Sequence, residues 1–124
     1  VHAQNVTAEG NIAAAREGTW ISLDNIRKRE GLGPEEQGSP EWYADRLSEF
    51  KDQGLLNKVL ISHDSGWYDP SEPGGGKFNG YTDIFDYLVP VLKAKGFSND
   101  EIDQILIKNP AEAFTVKIRK YQLN

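Results

Sequence analysis

Cysteine and methionine are both absent from this chain of 124 residues, and histidine occurs only twice. Without cysteine there is no disulfide framework and no zinc–thiolate site. The compartment is not settled by that absence, since many secreted proteins also lack cysteine; the cytoplasm is favoured. No apolar run approaches the roughly 18 residues that a membrane-spanning helix needs, so no membrane partner is expected. Basic residues are outnumbered, 14 Lys and Arg against 19 Asp and Glu, for a formal net charge of -5, and they are scattered. A nucleic-acid surface needs a clustered basic face, so no nucleic-acid partner is expected. The chain opens on Val1 in a strand-like run, without Met and without a leader pattern. We therefore expect it to begin inside a domain.

What is present is one domain's worth of sequence or less. Val1-His2-Ala3 reads as the stub of a strand. Thr7 is placed to cap an alanine-rich helix from about Ala8 to Glu17, and Gly18 to close it. Trp20-Ile21-Ser22-Leu23 is a short β-prone run ending at Asp24. Residues 27–39 are charged and glycine-containing and read as an exposed loop. Ser39 and Pro40 begin a second helix, a hydroxyl cap followed by proline at the first helical position. Tyr43, Leu47 and Phe50 share one face of it. Past Gly54, Val59-Leu60-Ile61 is a continuous apolar run of the kind found in strands buried on both faces.

The stretch 65–80, with Gly74-Gly75-Gly76, Trp67, Tyr68 and Phe78, is too long for a simple connection. Its glycines follow Pro73 rather than a strand and lack the Lys-Ser/Thr ending of a phosphate loop. Thr82 can cap a helix carrying Ile84, Phe85, Leu88, Val91 and Leu92, in which Pro90 predicts a kink or a break. Ser98 and Glu101 form a capping box ahead of Ile102, Ile105 and Leu106. Asn109 is placed to cap a further short helix, and residues 115–124 alternate weakly. The predicted order is β, α, β, α, β, α, α, α. Parallel strands need such crossovers, and eight such units close a barrel of about 250 residues. Fewer than half of them are here.

Two polar clusters close apolar runs, His2 after Val1 and His63-Asp64 after Ile61. A carboxylate at the end of a buried strand is costly unless paired or metal-bound. As a ligand, Asp64 could also take a proton from metal-bound water; as a plain loop residue it could cap the turn that follows. His2 alone reads as a surface residue and becomes a metal-ligand candidate only beside Asp64 at a barrel mouth. Alternation along a strand sends His63 and Asp64 to opposite faces, which leaves His63 packed outward or supporting the loop. Asp24 ends the middle strand at the same mouth, where it could orient substrate or cap its loop. Trp67 and Tyr68 are candidates for a substrate lid or for packing on the rim.

These residues also carry a resemblance. Val59-Leu60-Ile61-Ser62-His63-Asp64-Ser65-Gly66-Trp67-Tyr68-Asp69-Pro70 resembles the eighth strand and loop of phosphotriesterase-like proteins in the amidohydrolase superfamily. Gly75-Gly76-Lys77-Phe78-Asn79-Gly80-Tyr81-Thr82-Asp83-Ile84-Phe85 is similar to the start of their last barrel helix, and Asn109-Pro110-Ala111-Glu112-Ala113-Phe114 to their closing Asn-Pro-Ala segment. Gly18-Thr19-Trp20-Ile21-Ser22-Leu23-Asp24 resembles the seventh strand and Val1-His2-Ala3-Gln4 the sixth. The resemblance covers nearly the whole chain.

It implies an α/β fold, the C-terminal portion of a TIM (β/α)8 barrel, with about three parallel units plus C-terminal helices. It implies that residues 1–124 are part of a metal-dependent hydrolase domain with two divalent metals, commonly zinc. His2 would be the sixth-strand metal ligand and Asp64 the eighth-strand ligand and catalytic proton acceptor. Asp24, Trp67 and Tyr68 would contact substrate. The remaining ligands of that family have no counterpart here, so the chain alone is expected to be incomplete and inactive. In organophosphate-hydrolysing members, an acid follows the sixth-strand His and a His follows the seventh-strand Asp. The matching positions here are Asn5 and Asn25, which leaves room for lactone or other ester substrates beside phosphoesters. The expected partners are the small-molecule ester or lactone substrate, the rest of the barrel and, through unpaired sheet edges, further copies of the chain. The rival expectation is a small non-catalytic α/β binding or scaffold module.

Overall fold

A computed structural model describes residues 2–3 and 7–117, with the side chains of His2 and Ala3 outside the description. Among the described residues the strands are β1 (His2–Ala3), β2 (Trp20–Leu23) and β3 (Val59–Ile61). They form one sheet in the order β1-β2-β3, and both pairings are parallel. Helix α1 (Ala8–Arg16) crosses from β1 to β2, and α2 (Pro40–Asp52) from β2 to β3. Both begin on the hydroxyls expected: Thr7 accepts from the Gly10 amide and Ser39 from the Trp42 amide, each at 3.0 Å. A third helical rod runs from a π-helical turn, Ile84–Leu88, into α3 (Val89–Ala94). The last combines α4 (Asn99–Asp103), a second π-helical turn, Gln104–Lys108, and α5 (Asn109–Phe114). The predicted capping box at Ser98 and Glu101 is present.

The structure bears on two expectations about these rods. Of the kink or break expected at Pro90, the break is absent and a π-helical distortion stands before the proline, and Asn109 does not cap a new helix, because its backbone is helical (φ -63, ψ -49). The cause is the same in both places. A proline inside a helix has no N–H to donate, and its ring presses on the carbonyl four residues earlier. Here a wider turn precedes each proline: Val89 N–H donates to the Ile84 carbonyl, and Asn109 N–H to that of Gln104, five residues back. The π-turn absorbs the misfit and the rod continues.

The alternation of the strands divides the sheet into two unlike faces. Ile21, Leu23, Val59 and Ile61 point into the main core, against Tyr43, Leu47, Phe50, Ile84, Leu88 and Ile105. Burying such side chains supplies about 1.5–3 kcal/mol each. The intervening positions carry Ser22, Leu60 and Ser62, and the buried Leu60 stands outside that core cluster. One face of the sheet is therefore the helix-packed core, and the other carries polar groups leading to Asp24 and Asp64.

Candidate active site

Both crossovers deliver β2 and β3 in the same direction, so Asp24 and Asp64 follow the carboxyl ends of neighbouring parallel strands. That end is where β/α barrels carry their functional residues. The ladder extends past both strands: the Ser62 amide donates to the Leu23 carbonyl and the Ile26 amide to the Ser62 carbonyl, each at 3.1 Å.

Asp24 is bound from two strands. Its Oδ1 accepts from the Ser22 hydroxyl at 2.6 Å and from the Ser62 hydroxyl at 2.7 Å. Its backbone carbonyl accepts from the Tyr43 hydroxyl at 2.8 Å. Burial, opposed by the cations of Arg29 and Arg27, raises the Tyr43 phenol above its ordinary value. Asp24 thus ties β2 to β3 on the polar face. Neither serine is singled out by sequence, because each becomes a partner only when the two strands lie in register.

Asp64 is different. It is exposed, and its side chain makes no hydrogen bond or ion pair among the described residues. Its backbone is left-handed, φ 49, a conformation that costs a non-glycine residue free energy and recurs at functional bends. Its carbonyl accepts from Trp67 Nε1 at 3.1 Å. The carboxylate borders a groove of about 480 Å³ along the open edge of β3, whose walls include Ile61, Tyr81, Phe85 and Ile105. Trp67 and Tyr68 are exposed, at 73% and 74%. Tyr68 lies over Gly75, where a Cβ would meet its ring at 2.2 Å, so this aromatic loop is folded back on its own glycines.

His63 faces the other way, as alternation predicts. It is buried, and its Nε2 accepts from the Ile84 amide at 3.0 Å. The imidazole thus caps the helix that Thr82 was expected to cap. The first amides of a helix need acceptors and repel positive charge, so the cap works only as neutral imidazole protonated on Nδ1. Burial lowers the His63 pKa below 6.5, against the opposing carboxylate of Asp83.

For His2 only the backbone is described. It pairs with Trp20, four residues before Asp24, so in this register it is level with the amino end of β2. Asn5 lies outside the described residues. Asn25 follows Asp24 in a left-handed bend, φ 68. Among the described residues no three His, Cys, Asp or Glu side chains gather to hold a metal ion. Among the described side chains at this end of the sheet the donors do not fit a metal by themselves: Asp24 is committed to two hydroxyls and His63 to a helix end, which leaves the Asp64 carboxylate. The loop after β2 hides a further signal. Arg27-Lys28-Arg29, read from sequence as part of an exposed loop, line a cavity with Lys77 from the loop after β3.

Comparison with known proteins agrees with this arrangement. The chain is 33% identical over 102 residues to the phosphotriesterase homology protein of Escherichia coli K12, covering 75% of this chain and 34% of that protein. It is 31% identical over 72 residues to the N-acetyltaurine hydrolase of Bos taurus, covering 58% and 20%. In fold it is similar to the Escherichia coli phosphotriesterase homology protein crystallised with phosphate in its active site (TM-score 0.67, 24% identity, 90% of this chain and 37% of that one). It is likewise similar to the organophosphorus hydrolase of Deinococcus radiodurans (TM-score 0.65, 23% identity, 90% and 35%). These structural neighbours are phosphotriesterase-like TIM barrels. The chain spans about a third of the length of the Escherichia coli relative. The model of the phosphotriesterase family matches residues 2–114, and the chain belongs to that family.

Proposed function

We propose that these residues form the last three β/α units of a metal-dependent hydrolase, with Asp64 as its eighth-strand carboxylate. The observation that carries this is the contrast at the sheet end. Asp24 and His63 are spent on internal hydrogen bonds, whereas among the described residues the Asp64 carboxylate stands unpaired at the same end as Asp24. A free carboxylate there can accept the proton of an attacking water. The metal, zinc in this proposal, requires donors beyond the described side chains, supplied by the rest of the barrel across the open edges of β1 and β3. His2 enters as a ligand only if β1 sits further along β2 than it does here.

The substrate we propose is a small ester or lactone, bound with Asp24, Trp67 and Tyr68 near it. The amide of Asn25 can carry no proton as an acid or base, which disfavours the organophosphate route. The rival, a non-catalytic module in which Asp64 is incidental, predicts a different result in the same test. In the hydrolase that carries this segment, Asp64→Asn is expected to release metal and to lower ester or lactone hydrolysis at least about 100-fold, with circular dichroism unchanged. Full metal content and full activity in that variant would refute the proposal.

A further inference from the structure

The chain is acidic overall, yet one cavity in it is basic. It measures about 520 Å³ and lies between the loop after β2 and the loop after β3. Four cations line it, Arg27, Lys28, Arg29 and Lys77, against two carboxylates, Glu30 and Asp83. None of the four cations has an ion pair or a side-chain hydrogen bond among the described residues. Arg27 and Arg29 are half-buried. One of the carboxylates is already engaged, since Asp83 Oδ2 accepts from the Lys28 amide at 2.8 Å. That bond fixes the two loops against each other. The Lys28 ammonium lies 4.9 Å from the centre of the Tyr87 ring, which steadies it without neutralising it.

Like charges held together repel one another, and such a cluster is relieved by an anion. The two arginines offer forked N–H groups suited to a tetrahedral oxyanion, and the lysines add point charge. The excess of two cations over carboxylates matches a doubly charged group. The location is also apt, because β/α barrels frequently bind phosphate between the loops after their last two strands. We propose that this cavity binds the phosphate group of a small phosphorylated ligand through Arg27, Lys28, Arg29 and Lys77. This deepens the hydrolase reading by making the substrate an anionic ester, but binding can be measured without hydrolysis.

The test is calorimetric titration of the protein with inorganic phosphate, and in parallel with methanesulfonate, acetate and a short single-stranded oligonucleotide. Phosphate is expected to bind more tightly than acetate or methanesulfonate, and more weakly as NaCl is raised. Arg27→Gln and Lys77→Gln should each weaken phosphate roughly tenfold, the loss of one charge-assisted contact. Lys77 is exposed, so its variant tests the site without threatening the fold. Lys108→Gln, distant in sequence and exposed, should bind as the parent does. Phosphate affinity that is unchanged in both cavity variants, or that falls equally in Lys108→Gln, would overturn the proposal. So would a preference for acetate, for methanesulfonate or for the oligonucleotide. Asp64→Asn should leave phosphate binding intact, so failure of the hydrolase reading and failure of this one give different results.

Discussion

Asn109 offers the most quantitative test of how β3 is held in place. It is fully buried. Its Nδ2 donates to the carbonyls of Leu56 and Val59 at 2.8 and 2.7 Å, and its Oδ1 accepts from Gln104 Nε2 at 2.6 Å. One side chain therefore ties the last helical rod to the amino end of the strand that leads to Asp64. Asn109→Ala removes all three bonds. Each is worth about 1 kcal/mol net, and an interior carbonyl left without its donor costs about 1–3 kcal/mol. The expected loss is about 3 kcal/mol, or roughly 10 °C in Tm for a domain of this size. Asn109→Asp should be at least as damaging, because it keeps the acceptor for Gln104 but turns a charge on two carbonyl oxygens. Lys108→Ala, the exposed neighbour, should stay within about 0.5 kcal/mol of the parent. Urea and thermal unfolding followed by circular dichroism decide the matter. An Asn109→Ala protein as stable as the Lys108→Ala control would show that the helix-to-strand tie is dispensable.

The His63 cap makes stability pH-dependent. Its folded pKa lies below 6.5, so the unfolded chain binds more protons in mild acid. Its contribution is whole above about pH 6.5 and is lost as pH falls through the lower folded value. The urea midpoint should drop between about pH 7.5 and 5.5, and drop less in His63→Gln, which cannot titrate; an equal drop in both would contradict the assignment. Gly66→Ala should disturb the loop beside Asp64. Gly66 has φ +88, and a Cβ there would lie 2.0 Å from Tyr81 Oη, displacing the bond from Tyr81 to the Ser65 carbonyl. The expected cost is about 1–2 kcal/mol. In combination with Tyr81→Phe the two losses should add to less than their sum, and strict additivity would refute the contact.

The helix starts at Thr7, Ser39 and Ser98 are legible in the sequence because each cap is made within three residues of itself. The parallel β/α order follows from crossover lengths, and the opposite facing of His63 and Asp64 from the two-residue period of a strand. The cap on the Ile84 helix was not legible. The acceptor comes from His63, 21 residues earlier, rather than from the local Thr82. The π-turns that carry the rods past Pro90 and Pro110 escaped prediction too, since a π-turn leaves no mark in the pattern of apolar residues.

By itself the sequence determined the local choices: where helices begin, which strand residues face the core, and the family likeness carried by Val59–Pro70 and Asn109–Phe114. These depend on spacing and on chemistry between near neighbours. Only the tertiary structure decided which polar groups are consumed and which remain available. Asp24, His63 and Asn109 each find partners on another element, and for the buried His63 and Asn109 those bonds are obligatory. Among the described residues, the carboxylate of Asp64 and the side chains of Arg27, Lys28, Arg29 and Lys77 find no hydrogen-bond or ion-pair partner. The difference lies in long-range placement, which brings Ser62 to Asp24 and Lys77 to Arg27 across stretches of chain that no sequence period connects.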